Sequence, residues 1–85
     1  MSDQPMRIAF KPRAIKDLES IDRPVARRIL EKIHSLESGL SGDVKRLTNF
    51  TPEYRLRVGD YRISFEIEGD RVIIYRVRHR SQAYS

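Results

Sequence analysis

Apolar and polar residues alternate without exception from Tyr54 to Ile67, apart from the dipeptide Gly59-Asp60 in the middle. Period-two alternation is typical of strands that have one face on a core, and a Gly-Asp break fits a two-residue hairpin turn. Such a turn brings the apolar residues of both strands to one face. The predicted pairs are Val58 with Tyr61, Arg57 with Arg62 and Leu56 with Ile63.

A third strand follows over residues 71–78, after a turn through Glu68-Gly69-Asp70. Its middle is apolar on both sides, which is typical of an interior strand. A three-residue turn would place Ile73, Tyr75 and Val77 in the core, whereas a two-residue turn would reverse the faces. We favour the three-residue turn because the other register would bury Arg76 and Arg78, and each guanidinium would then need a buried partner.

The first half of the chain predicts one strand and two helices. Residues 7–10 form a short strand, and Pro12 opens an amphipathic helix of about ten residues. Asp22 is a candidate N-cap for a second helix, with Pro24 in its first turn. We expect the apolar stripes of both helices to be buried against the sheet. Their members are Ala14, Ile15, Leu18, Ile21, Val25, Ala26, Ile29, Leu30, Ile33 and Leu36.

These elements predict an α+β fold of order β-α-α-β-β-β, with two N-terminal helices packed on a small, mainly antiparallel sheet. Residues 1–5 are expected to be a flexible leader and residues 6–85 a single domain. With 85 residues the chain has room for one modest core, which excludes a dinucleotide fold or a deep cofactor site. We expect a soluble cytoplasmic protein, because the sequence contains neither a signal peptide nor an apolar run long enough for a membrane span.

Cysteine is absent, which excludes disulfides, thiolate metal sites and a cysteine nucleophile. Two histidines without an acidic cluster nearby argue against a catalytic metal, so we expect neither a metal nor another cofactor.

The net charge of +5 is concentrated in the second half of the chain, where eight of the nine cations are arginine. In the favoured register Arg55, Arg57, Arg62, Arg76 and Arg78 share one face of the sheet. Like charges opposite each other destabilise a sheet by about 0.2 to 1 kcal/mol per pair, and a bound phosphate backbone would convert that repulsion into attraction. The alternative is a solvated face with its side chains spread apart.

The C-terminal segment is a second cluster of reactive groups. His79, Arg80 and Tyr84 offer proton transfer, charge stabilisation and base stacking within six residues. Alone the segment is a weak indication, because Tyr84 could equally fold back onto the core.

Two motifs carry a family resemblance: Tyr-Arg-x-Arg-x-Gly-x-Tyr-Arg over residues 54–62 and His-Arg-x-x-x-Tyr over residues 79–84. Together with the first strand, the two helices and Lys45-Arg46-Leu47, they resemble the RelE/ParE toxin superfamily, and the RelE branch most of all. The resemblance covers the chain from Met6 onwards. It implies a toxin of a type II toxin–antitoxin system, namely a metal-independent endoribonuclease that cleaves mRNA in the ribosomal A site.

In the reaction that the resemblance implies, the RNA 2′-hydroxyl attacks the adjacent phosphorus. The implied catalytic residues are Arg55, Arg57, Arg62, Arg78, His79, Arg80 and Tyr84, and RNA binding is assigned to Lys45, Arg46 and Arg76. Arg62 would contact the scissile phosphate and Tyr84 the substrate base. The best-known member of the family carries lysines, implied as base and charge stabiliser, where this chain has Arg55 and Arg57. Since arginine hardly deprotonates, His79 becomes the candidate proton acceptor.

The implied partners are a cognate antitoxin, mRNA and rRNA on the ribosome, and operator DNA reached only through the antitoxin. No membrane partner is expected. Two alternatives remain: a ParE-like inhibitor of DNA gyrase, and a non-catalytic basic module that binds nucleic acid. The C-terminal motif favours the RelE-like reading, because ParE-like chains usually lack it.

Overall fold

The structure is a computed structural model that describes residues 6–39, 43–49 and 51–83. The predicted leader of residues 1–5 lies outside this part. The strands are β1 (Arg7–Phe10), β2 (Val44–Arg46), β3 (Tyr54–Val58), β4 (Tyr61–Glu68) and β5 (Arg71–His79). The helices are α1 (Pro12–Glu19), α2 (Arg23–His34) and a short α3 (Arg80–Ala83), and a 3₁₀ turn (Ser35–Ser38) extends α2.

The five strands form one sheet in the order β1-β5-β4-β3-β2. Only β1 and β5 run parallel, and every other neighbouring pair is antiparallel. This confirms the predicted α+β fold and the interior position of β5. The strand β2 was not predicted, because three residues are too few to show a period.

The first hairpin has the predicted register, with Val58 opposite Tyr61 and Arg57 opposite Arg62. Gly59 in its turn has a φ of 58°, a conformation that glycine adopts without steric cost. Leu56, Val58, Ile63 and Phe65 are all buried, so alternation alone identified the core face of both strands.

The predicted three-residue turn before β5 is wrong. Glu68 pairs with Arg71 across a two-residue turn, and Val72 and Ile74 are therefore the buried core residues in this half of β5. Ile73 instead pairs with Glu66 on the other face, although it too is mostly covered.

A β-bulge then restores the predicted faces. Phe65 pairs with Ile74 but Ser64 pairs with Arg76, so Tyr75 is an extra residue with no partner in β4. From there onwards Val77 points into the core, as predicted, and Arg78 lies opposite Arg62. The prediction that Tyr75 lies in the core is wrong, because its side chain is only half-buried. The Lys11 ammonium lies 5.2 Å from the centre of the Tyr75 ring.

The helices pack on the sheet face that carries these core residues. Ala14, Ile29, Ile33 and Leu36 are completely buried there. Four residues of the predicted stripes are only half-buried, namely Leu18, Ile21, Ala26 and Leu30. Two more are exposed, since Ile15 is 46% exposed and Val25 is 38% exposed. Ile15 lies about 100° around the helix from Ala14, and Val25 belongs to the first turn of α2, one turn before the first buried residue. Among the described helices, none is long and apolar enough to cross a membrane.

Candidate nucleic-acid interface

Two rows of side chains cross the open face of the sheet, which is the face opposite the helices. One row is Arg57, Arg62 and Arg78, on three adjacent strands. The other row is Lys45, Arg55, Ser64 and Arg76, on four strands. The sheet thus places six cationic residues around one uncharged position, Ser64.

Nearby carboxylates neutralise this face only in part. Asp43 Oδ2 lies 3.4 Å from Arg57 Nε, and Asp60 Oδ1 lies 3.9 Å from Arg80 Nη1. Both pairs are well exposed, so each contributes little to stability. In the part of the chain that the structure describes, no carboxylate is within ion-pair distance of Arg55 or Arg78. The face is therefore electropositive.

Three adjoining depressions follow this face, and Arg62 lines all of them. The largest, which we call the Ser64 cleft, has a volume of about 380 Å³. Its lining residues are Leu47, Thr51, Pro52, Tyr54, Arg55, Arg62, Ser64 and Arg78. The second holds Arg55 and Arg57, and the third reaches Arg57 and Arg80. Together they form a shallow groove in which an extended polyanion would meet several guanidinium groups.

Arg76 is committed to an ion pair with α1. Its Nε and Nη2 donate to the two carboxylate oxygens of Asp17, at 2.9 and 3.2 Å. The same carboxylate accepts the backbone N–H of Val77 at 2.9 Å, where β1 has ended and left one edge of β5 without a neighbouring strand. Asp17 therefore takes the place of a strand at this edge, and Arg76 serves to attach α1 to β5.

The charges and hydrogen bonds around Asp17 together affect its pKa more than its burial does. Burial alone would raise the pKa of the Asp17 carboxyl, but the hydrogen bonds from Arg76 and Val77 and the positive charges of Arg76 and Arg78 hold it below its usual value. The hydrogen bond to Asp17 likewise raises the pKa of Arg76. Both groups are charged at neutral pH.

The two predicted RNA-binding residues of β2 lie on different faces. Lys45 pairs with Arg55 and belongs to the open face, whereas Arg46 pairs with Tyr54 and alternates to the core face. Arg46 Nε donates to the Glu53 carboxylate, and this hydrogen bond raises the pKa of the guanidinium. Of these two residues, only Lys45 therefore lies on the open face with the arginine rows.

His79 also lies on the core side of the sheet. It pairs with Tyr61, and the two rings meet edge to face with their centres 5.2 Å apart. Its Nδ1 lies 2.9 Å from Ser81 Oγ and accepts the Ser81 backbone N–H at 3.2 Å. Arg62 and Arg78 form the neighbouring pair along the two strands, and their side chains lie on the opposite face. The imidazole is therefore directed away from these two arginines.

The start of the C-terminal segment is ordered by local contacts. The Arg80 backbone N–H donates to the Asp60 carbonyl at 2.7 Å, and Arg78 Nη2 donates to the Gln82 carbonyl at 3.3 Å. These contacts hold Arg78 and Arg80 beside the first hairpin turn. Tyr84, the predicted base-contacting residue, lies outside the described residues.

Sequence reasoning missed Asp17 and the residues that line the Ser64 cleft from the β2–β3 connection, Leu47, Thr51 and Pro52. The period-two pattern does place Ser64 on the arginine face, but a serine among arginines gave no chemical signal. Among the residues described, no group of three or more His, Asp or Glu side chains is arranged to hold a metal ion.

Comparisons with known proteins show the family of this chain. A family model described as "ParE toxin of type II toxin-antitoxin system, parDE" matches residues 8–84. The chain belongs to the RelE/ParE family of toxins. Toxin RelE3 of Methanocaldococcus jannaschii is 33% identical in an alignment over 84 residues, which covers 93% of this chain and 96% of that protein.

Two solved structures of relatives have the same fold as this toxin. The RelE chain of the RelB-RelE antitoxin-toxin complex from Methanococcus jannaschii is 32% identical, with a TM-score of 0.76 over 89% of this chain and 94% of that one. The corresponding chain of the archaeal RelE-RelB complex from Pyrococcus horikoshii is 26% identical, with a TM-score of 0.77 over 92% and 98%. The predicted resemblance to RelE-like toxins is confirmed.

Proposed function

We propose that this toxin is a ribosome-dependent endoribonuclease that cleaves mRNA in the A site. The observation that carries the proposal is the row of Arg57, Arg62 and Arg78 across three neighbouring strands. Adjacent like charges oppose folding, and a phosphate placed between them removes the repulsion and gains charge-assisted hydrogen bonds. The 33% identity to a protein named RelE3 supports the same function.

In the proposed reaction, RNA supplies its own nucleophile. The 2′-oxygen attacks the adjacent phosphorus and loses its proton, while the bond from phosphorus to O5′ breaks and O5′ gains a proton. The products are a 2′,3′-cyclic phosphate and a 5′-hydroxyl. Arg62 and Arg78 would hold the phosphate oxygens and stabilise the negative charge that grows on them in the transition state. Arg55 and Arg57 would bind the flanking phosphates.

The position of His79 bears on its predicted role as proton acceptor. A general base must come within about 3 Å of the proton that it removes. The imidazole packs against Tyr61 on the other side of the sheet, so a direct role would require a change of rotamer at the end of β5. The geometry therefore supports charge stabilisation by arginine more strongly than base catalysis by His79, and Tyr84 remains a proposed base contact.

We further propose that a separate antitoxin binds this chain and blocks the arginine face. The RelE chains of the two archaeal relatives are solved in complex with their RelB antitoxins. An acidic segment would complement the exposed Arg57 and Arg80, and operator DNA would be bound through the antitoxin.

The test is cleavage of a defined mRNA in a reconstituted bacterial translation reaction, with primer extension to locate the cuts. Wild-type toxin should cut within codons, and Arg62→Gln should reduce the rate by about 10² to 10³-fold, as removal of one transition-state donor does elsewhere. Arg27→Gln removes an exposed arginine from α2 and is the matched control. Equal rates for Arg62→Gln and Arg27→Gln would reject the site.

A gyrase inhibitor is the second candidate, because the matching family model is described as ParE. Inhibition of DNA supercoiling by gyrase, with mRNA intact in the translation reaction, would establish it. RNA binding without any cleavage product would instead indicate the non-catalytic module.

A further inference from the structure

The Ser64 cleft has two chemically different sides. The connection between β2 and β3 contributes Leu47, Thr51 and Pro52, whose surfaces are largely carbon. The strands contribute three guanidinium groups and the Ser64 hydroxyl, with Arg62 and Arg78 directly paired beside Ser64. A phosphate needs only the side that carries the guanidinium groups. The cleft therefore offers more than the arginine row requires for holding an anion.

Hydrogen bonds anchor the two ends of the connection that carries the carbon-rich side. The Leu47 backbone N–H donates to the Glu53 carbonyl at 2.6 Å, which closes the connection at its base. The Glu53 backbone N–H donates to the Glu66 carboxylate on β4 at 2.8 Å. Glu66 alternates to the open face, so this bond fixes the end of the connection over that face. Both ends of the connection are thus fixed, and a wall with fixed ends loses less entropy when a ligand binds.

A planar apolar ring joined to a phosphate is the ligand chemistry that matches both sides. Single-stranded RNA is recognised by stacking of its bases on flat side chains and by hydrogen bonds to the base edges. Leu47 and Pro52 provide surface for a ring face, and Arg55 can stack through its guanidinium plane. Ser64 and Thr51 each carry a hydroxyl that can both donate and accept. A volume of about 380 Å³ is within the range of small-molecule sites.

We infer that the Ser64 cleft binds the nucleobase next to the phosphate held by Arg62 and Arg78, with Ser64 as the residue that contacts the base edge. This inference rests on the proposed function and adds to it a determinant of base preference. Ser64 lies in the same row as Arg55 and Arg76, so its hydroxyl reaches the groove between the two arginine positions.

Nucleotide binding by the isolated chain tests this directly. The four nucleoside 5′-monophosphates and ribose 5-phosphate are titrated into ¹⁵N-labelled toxin, and amide shifts are followed by NMR. At least one nucleotide should bind at least about fivefold more tightly than ribose 5-phosphate, because a stacked base adds at least that much. The amides of Leu47, Thr51 and Ser64 should shift with the nucleotide and not with the sugar phosphate. Equal affinities for all five probes would overturn the inference.

Variants separate the base site from the anion site. Leu47→Ala and Ser64→Ala should lower nucleotide affinity towards that of ribose 5-phosphate and leave the affinity for ribose 5-phosphate unchanged. Thr48→Ala is the matched control, since Thr48 is the next residue but lines a different depression, with Arg46 and Glu53. An unaltered nucleotide preference in both cleft variants would reject the assignment.

Cleavage mapping distinguishes failure of this inference from failure of the proposed function. If wild-type toxin cuts no mRNA but prefers nucleotides over ribose 5-phosphate, the nuclease is rejected and the base site stands. If it cuts mRNA and all probes bind equally, the nuclease stands and the base site is rejected. If both hold, Ser64→Ala should change the base frequencies beside the cuts, and Thr48→Ala should not.

Discussion

A single carboxylate, that of Asp17, attaches α1 to β5, the strand that carries Arg78. The informative substitution is Asp17→Asn, which preserves the shape of the side chain and removes its charge. The carboxylate accepts two hydrogen bonds from Arg76 and one from the Val77 backbone. The amide nitrogen of asparagine would face donors in at least one of these positions. We therefore expect the variant to fold and to be measurably less stable.

The size of the effect follows from the exposure of the pair. The Asp17 side chain is 17% exposed and that of Arg76 is 31% exposed, so solvent screens the interaction in part. Hydrogen bonds to charged groups contribute about 1.5 to 3 kcal/mol, and we expect a loss of about 2 kcal/mol in the free energy of unfolding. For a domain of this size that loss lowers Tm by about 8 to 16 °C.

The loss should also depend on pH in a defined direction. The pKa of Asp17 is lower in the folded chain than in the unfolded chain, so folding favours its ionised form. The stabilisation is then complete well above the unfolded value of about 3.9 and disappears as the pH falls through the folded value. The difference in unfolding free energy between wild type and Asp17→Asn should be constant from about pH 5 to pH 7 and should shrink below that.

Urea denaturation followed by circular dichroism measures both quantities. Glu19→Gln is the matched control, because Glu19 is an exposed carboxylate on the same helix. If the two variants lose equal stability, or if the loss in Asp17→Asn is the same at pH 3 and pH 7, the role assigned to Asp17 is wrong.

Three further substitutions test the core, a turn and the open face. Phe65→Ala removes a fully buried ring stacked on Tyr54, and urea denaturation should show a loss of about 3 to 5 kcal/mol; a loss below about 1 kcal/mol would contradict the packing. Gly69 has a φ of 62° with open space around its Cβ position, so Gly69→Ala should cost about 1 kcal/mol through the backbone alone in the same assay, and no cost would contradict this turn. The third test is single-stranded RNA binding measured at several salt concentrations. Arg57→Gln should make the slope of log K against log salt less negative by about 0.7, and Arg27→Gln should leave that slope unchanged. Equal slopes for wild type and Arg57→Gln would place Arg57 outside the interface.

The first hairpin could be predicted to the residue because its sequence contains two independent signals that agree. The alternation identifies the buried face, and Gly59-Asp60 fixes the register. The next strand follows the same dipeptide, Gly69-Asp70, but it lacks the alternation. Its segment Val72-Ile73-Ile74 has no polar residue to mark a face, so the turn at Gly69-Asp70 was predicted one residue too long.

The position of His79 could have been inferred from the same alternation. Once Val77 is in the core and Arg78 is opposite Arg62, the next residue must return to the core side. The prediction instead grouped His79 with the arginines because the residues are adjacent in sequence. The role of Asp17 was not predictable in this way, since it pairs with Arg76 across 59 positions and no local pattern records that contact.

The bulge at Tyr75 explains how one strand can serve both the core and the arginine face. Before it, Val72 and Ile74 fill the core between β1 and β4. Without the extra residue, the period of two would continue from Ile74, and Arg76 and Arg78 would point into that core. Burying two guanidinium groups costs several kcal/mol each unless partners are present. One unpaired residue at the bulge avoids that cost, and Asp17 accepts the backbone N–H of Val77 where β1 ends. The register that places Arg78 beside Arg62 is therefore a requirement of the core as much as of the open face.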